Sequence, residues 1–204
     1  AVLEYQKRDV LGFAMDFAED RTKTSWGVEF TWFPRVLVAD NDQFDALAHV
    51  DLYNLVVSVD RLTFIRFLNR SRSFFMNLQL FFQYVSDYRS SFPRDGPFNT
   101  LATFTVATGY HQDRLVPSVT FVHDFPSSSG AVLASVSYRY TENLSIQVGA
   151  NAFYGSVRSL EAPLVAPGTA AGGAGKGAQR FYVENGLSQI RDRDEFFLRL
   201  RYTF

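Results

Sequence analysis

The side chains best suited to acid–base or metal chemistry are three histidines, His49, His111 and His123, and the chain has no cysteine. A metal centre needs ligands at close, regular spacing. These histidines are too scattered to supply one, and without thiols neither disulfides nor thiolate metal sites exist. No metal or other cofactor is expected. His123 is followed by Asp124, and Ser118 and Ser135 lie on neighbouring segments. Nucleophilic catalysis needs a hydroxyl, a base and an orienting group within mutual reach. His123 alternates with Phe121 and Phe125, which places it on an apolar face, and no catalytic motif accompanies it. An enzyme is therefore not expected. The Gly175-Lys176 pair does not make a phosphate-binding loop: the glycine spacing is wrong and no Ser or Thr follows the lysine. A net charge of −1 gives no electrostatic basis for binding nucleic acid.

What remains is charge set along alternating segments. Asp16, Glu29 and Asp60 lie in the first part of the chain, and Arg139, Arg199 and Arg201 in the last. Gln79, Gln83 and Gln147 occupy equivalent positions between them. If all nine point into one lumen, an acidic wall faces a basic wall, as charged rings do in selective pores. The alternative is that these charges pair with a plug, an inward-folded loop or each other.

Such residues need strands to position them. Apolar and other side chains alternate strictly over nine segments: 9–18, 24–33, 51–60, 73–85, 98–110, 114–125, 131–140, 144–155 and 194–204. Period two marks strands with one apolar face. The segments are longer than the usual soluble strand of about 5–6 residues. They approach the length of about 9–11 residues that crosses a bilayer at a tilt. Aromatic residues are abundant, with 21 Phe, 10 Tyr and 2 Trp, and they concentrate at strand ends. Interfacial girdles would require that. No apolar run is long enough for a transmembrane helix, so a barrel is the remaining way to span a membrane.

The final segment closes on Phe204. With Phe204 in the periplasm, the links 19–23, 111–113 and 141–143 are periplasmic and short. The links 34–50, 86–97 and 156–193 are external and long, as outer-membrane barrels require. Links 126–130 and 61–72 depart from that pattern. The second of these carries Arg61, Arg66, Arg70 and Arg72 among Leu62, Phe64, Ile65, Phe67 and Leu68. It reads as a short amphipathic helix or plug-like turn on the rim, or as a docking surface for a periplasmic partner or anionic lipid. Residues 166–177 are low-complexity and flexible in character, and 191–195 form a mixed-charge loop base. Nine is odd, whereas single-chain bacterial barrels have even strand counts. Val2, Leu3 and Tyr5 suggest the end of another strand. Further strands are expected N-terminal to Ala1 or from another chain, and residues 1–204 read as the C-terminal part of one barrel domain.

The stretches 60–69, 73–75 and 79–81, DRLTFIRFLN, SFF and QLF, resemble the central motif of a family of large proteobacterial outer-membrane proteins catalogued as a domain of unknown function. The ending RDRDEFFLRLRYTF and the stretch Gly27-Val28-Glu29 are similar to it as well. The resemblance implies a bacterial outer-membrane location and a longer parent chain. It also implies a periplasmic neighbour with a lipoprotein-carrier-like fold, and traffic of lipid or other apolar compounds. It supplies no catalytic residues.

The expected fold is thus an all-β, antiparallel, up-and-down transmembrane barrel, in contact with outer-membrane lipid. The expected function is an outer-membrane channel or transport component for hydrophobic or amphipathic molecules. The alternatives are a general diffusion pore for small polar solutes and a non-conducting barrel that anchors an envelope assembly.

Overall fold

The computed structural model describes residues 7–40, 47–92, 96–155 and 186–204, and the backbone of 158–163 and 178–183. Nine strands form one antiparallel, up-and-down sheet. They are β1 (Leu11–Glu19), β2 (Thr24–Ala39), β3 (Leu47–Thr63), β4 (Phe74–Val85), β5 (Phe98–Thr108), β6 (Leu115–Asp124), β7 (Ser129–Arg139), β8 (Leu144–Tyr154) and β11 (Glu195–Tyr202). A separate hairpin, β9 (Arg158–Pro163) with β10 (Ala178–Val183), and a short 3₁₀ turn, η1 (Gly186–Ile190), fill the link between β8 and β11. Each strand pairs with its sequence neighbour, and β11 pairs with β8. Among the described residues the sheet does not close on itself: β1 and β11 each pair on one side only.

All nine alternating segments are strands of this sheet, and the two-residue period survives the register intact. One transverse row runs Met15, Val28, Val57, Leu80, Ala102 across β1 to β5. Another runs Val136, Val148, Leu198 across β7, β8 and β11. These rows make one face apolar. Much of it is exposed, including Phe13, Phe17, Leu198 and Leu200, and Phe196 reaches 90 %, while its residues on β2 and β3 are half-buried.

Two strands run further than their alternation. The 24–33 segment continues to Ala39 and the 51–60 segment begins at Leu47, so most of the expected 34–50 loop is hairpin. Pro34 conceals this in the sequence, because it cannot donate to the ladder. The register shifts between Phe33 and Val36 and Arg35 adopts φ 51°. The freed Arg35 amide donates to Asp51 Oδ1 at 2.9 Å.

The buried hydrophobic cluster lies on the other face, at the end opposite Phe204. Val36, Val50, Val85 and Phe92 pack there with Phe33, Leu52 and Tyr88. Leu52 and Val85 are register partners on the face that carries Asn54 and Gln83, so the 86–92 link folds over that face across β2–β4. Arg89 holds the buried Asp40 carboxylate at 3.2 Å. Segment 61–72 contains no helix: Arg61–Thr63 complete β3 and the rest is turns. The strand end expected at residues 2–5 and the low-complexity 166–177 lie outside the described residues.

Candidate functional site

The polar face is built by the same alternation read on its other parity. Asp16, Gly27, Ser58, Gln79 and Thr103 form one row. Ser25, Asp60, Asn77, Thr105, Thr120, Leu133, Asn151 and Glu195 form the next. Glu29 and Gln83 fall in neighbouring rows, and Gln147 pairs with Arg199 and Ser145 with both Arg139 and Arg201. All nine expected polar-face residues, Asp16, Glu29, Asp60, Gln79, Gln83, Arg139, Gln147, Arg199 and Arg201, therefore occupy one face.

Side-chain hydrogen bonds run across the strands of this face. Gln83 Nε2 donates to Asn54 Oδ1 at 3.1 Å, and Asn54 Nδ2 to Thr31 Oγ1 at 3.2 Å. Asn77 donates to Asp60 at 2.5 Å, and Asn151 to Glu195 at 2.5 Å. Thr105 and Thr120 share a bond of 2.9 Å, Ser118 and Ser135 one of 3.0 Å, and Gln147 Nε2 donates to Ser135 Oγ at 3.1 Å. Cross-strand pairs of this kind fix strand register.

The three acids lie on β1–β3 and the three arginines on β7 and β11, at opposite edges of the sheet order. Among the described residues no ion pair joins the two sets. This face is not uniformly polar. Val56, Phe81 and Leu101 form a transverse apolar row between Glu29 and Asp124. They line a concavity of about 310 Å³ together with Asn54, Gln83 and Asn99. This apolar row is absent from the expected site. Its signal was the Phe81-Phe82 doublet, in which the first ring falls on the parity of the glutamines.

At the end opposite Phe204 a second segment folds over this face. The Leu187 amide donates to Ser129 Oγ at 3.0 Å, and η1 packs on β7 and β8. Gly186 takes φ 59° where Asp124 and Ser127 would meet a side chain. Ser188 is fully buried against Gly155. Both inward segments belong to long links.

The hydrolase arrangement does not assemble. His123 is on the apolar face, where its Nδ1 lies 2.9 Å from Tyr154 Oη and its ring 4.7 Å from Phe125. Ser118 and Ser135 face the other way and bond each other.

The four arginines of 61–72 do not form one surface. Arg61 is on the apolar face in the row of Met76, and Arg72 pairs with Asp113 at 2.8 Å. Arg66 and Arg70 flank Phe64 around a concavity of about 360 Å³. The turn is pinned by Asn69, 3 % exposed. Its Nδ2 donates to Thr108 Oγ1 at 3.0 Å and to Gly109 O at 2.8 Å, and its Oδ1 accepts the Ser71 and Arg72 amides, each at 3.1 Å. So braced, the turn presents Phe64, Leu68 and an 86 % exposed Phe67 to the surroundings.

Comparison of the chain with protein-family models, with curated proteins and with solved structures found no match.

Proposed function

We propose that this sheet is part of the wall of a bacterial outer-membrane β-barrel, with the apolar face on lipid and the polar face on the lumen. Three observations support the reading. First, water would not tolerate a continuous apolar face across nine strands; exposed patches above a few hundred Å² mark interaction surfaces. Second, the face is banded. Trp32, Tyr53, Tyr84 and Phe98 form one aromatic row near one end, with ring centroids 6.2, 6.0 and 4.7 Å apart in turn. Near the other end Phe17 stacks on Trp26 at 6.1 Å, and Tyr202 meets Phe204 at 5.1 Å. The ten residue steps from Phe74 to Tyr84 along β4 cover about 34 Å at ~3.4 Å per step. At a tilt near 45° that is about 24 Å of height, the depth of the apolar band in such barrels. Third, three of the four links at the Phe204 end are short (20–23, 109–114 and 140–143, with 64–73 the exception) and three of the four opposite are longer (40–46, 86–97 and 155–194, with 125–128 the exception), which favours Phe204 in the periplasm.

The open edges carry a parity argument. Nine strands in strict alternation leave β1 and β11 running in the same direction, so joining them directly would make a parallel pair. Unpaired edges are untenable in lipid. An odd number of further strands closes the barrel antiparallel throughout and makes the total even.

The function this geometry supports best is a transport component for hydrophobic or amphipathic molecules. The apolar row Val56, Phe81, Leu101 within the polar wall carries that reading. It gives an acyl or aromatic group a place to shed water beside amides that bind a polar head. The test is reconstitution of the intact protein into vesicles, with uptake of an amphiphilic fluorophore measured beside planar-bilayer conductance. Phe81→Gln should slow amphiphile flux and leave ion conductance unchanged; equal loss of both would refute the assignment. A general diffusion pore is the second reading. The acidic and basic edges of the polar face, which no ion pair joins among the described residues, favour it, and high ohmic conductance indifferent to Phe81 would establish it.

A further inference from the structure

Four arginines gather at the Phe204 end of the polar face. Arg139 on β7 and Arg201 on β11 flank Ser145 in one cross-strand row. Arg199 stands one polar-face position inward, beside Gln147. Two strand spacings place the backbones of Arg139 and Arg201 about 10 Å apart. The Arg114 carbonyl accepts the Arg139 amide at 2.7 Å. Arg114, Arg139 and Arg201 together line a concavity of about 310 Å³. Among the described residues, the ion pairs of arginine involve Arg72, Arg89 and Arg191 and none of these four. Two acids, Asp113 and Glu142, also line the concavity. Asp113 is engaged by Arg72 at 2.8 Å, so the balance stays strongly positive.

The arginines spring from a braced rim. Asn143 Nδ2 donates to the Thr203 carbonyl at 2.8 Å, and the Thr203 amide donates to the Asn143 carbonyl at 2.9 Å. Thr141 Oγ1 accepts the Leu144 amide at 2.9 Å. Guanidinium groups that line one concavity repel one another, and an anion between them relieves that repulsion. Their planar forks match the two oxygens of a carboxylate or phosphate.

We propose that Arg114, Arg139 and Arg201, with Arg199 behind them, form a binding site for an oxyanion: the carboxylate or phosphate head of a small amphipathic solute. The location on the polar face favours a solute over a bilayer lipid, whose headgroup would meet the apolar face. Binding itself follows from the cluster. Its role as a recognition point at the periplasmic mouth rests on the lumen reading above.

The test titrates the intact protein, in a nonionic detergent at low ionic strength, with octanoate and with inorganic phosphate by calorimetry. Saturable binding is expected. It should weaken about tenfold with each of Arg139→Gln and Arg201→Gln, fall as salt rises, and weaken less in Arg139→Lys, which keeps the charge but loses the fork. Native, heat-modifiable migration in gels confirms that each variant is folded. Absence of saturable binding by either anion overturns the proposal, as does equal affinity in the folded double glutamine variant. Binding of anionic lipid in nanodiscs without binding of either soluble anion overturns the solute assignment. The lumen reading is separated by cysteine labelling in vesicles. Ser145→Cys should react with a membrane-impermeant maleimide and Ile146→Cys should not. The reverse pattern refutes the lumen while leaving the titration result standing.

Discussion

Replacing Asn69 by alanine should release the turn at 64–73 without unfolding the sheet. Asn69 makes five hydrogen bonds in the structure: two from its Nδ2, to Thr108 Oγ1 and Gly109 O, and three to its Oδ1, from the Ser71 amide, the Ser71 hydroxyl and the Arg72 amide. Each is worth about 0.5–1.5 kcal/mol net. Water reaches the Ser71 and Arg72 side of the turn, which is half-buried, and replaces part of that. The bonds on the buried side are not replaced. The expected cost is about 2–4 kcal/mol, and it falls on the turn because, among the described residues, its other ties are few: the Leu68 and Asn69 amides to the Ile65 carbonyl, Thr108 Oγ1 to the Ser73 carbonyl, Tyr110 Oη to the Leu68 carbonyl, and the Arg72–Asp113 pair. The last is about half exposed at both partners and contributes little. Native-state hydrogen exchange reads the effect directly. The Ser71 and Arg72 amides should exchange about 30- to 700-fold faster in Asn69→Ala, since about 1.4 kcal/mol is a factor of ten. Amides in the middle of β4 should be unaffected, and Arg70→Ala should change nothing. Exchange at Ser71 and Arg72 within threefold of the parent would refute the view that Asn69 organises this turn.

Other expectations follow from named contacts. In Gly130→Ala the new Cβ would lie 2.2 Å from the Val122 carbonyl and from Tyr154 Oη, so the backbone must shift at a cost of about 1–3 kcal/mol, measured by denaturant unfolding in vesicles. Gly149→Ala meets the Phe197 ring at 2.4 Å and the Ala134 carbonyl at 2.7 Å and should lower stability comparably in the same assay. Leu198→Arg, on the apolar face, should cost about 2–4 kcal/mol if that residue is at the bilayer midplane, whereas Thr103→Arg on the polar face should be close to neutral; equal effects would contradict the assignment of faces. Trp26 and Trp32 share the apolar face near opposite aromatic bands, so single-tryptophan variants should both be quenched by lipids brominated along the acyl chain. A lack of quenching for both would exclude lipid contact at β2.

The two-residue period of the sequence determined the strands and the sorting of side chains to two faces. That signal is local: a strand's successive side chains alternate whatever its neighbours are, so Phe196, Leu198 and Leu200 declare one face against Arg199 and Arg201 before any partner is known. The nine polar-face residues were legible for the same reason. Only the tertiary structure decided how rows combine across strands. Val56, Phe81 and Leu101 are far apart in the chain, and the register of β3, β4 and β5 alone sets them side by side. The inward course of 86–92 and of η1 was likewise hidden, because each is fixed by contacts between its few apolar or small side chains and strands distant in sequence. Pro34 misled the reading of β2, since a missing donor ends a ladder locally unless a bulge and a partner such as Asp51 restore it. Arg72 shares its composition with its sequence neighbours, and only the β5–β6 turn brings Asp113 to it. Alternation is written in each strand separately, whereas sites belong to the register between strands, and register is set by pairing across the whole sheet.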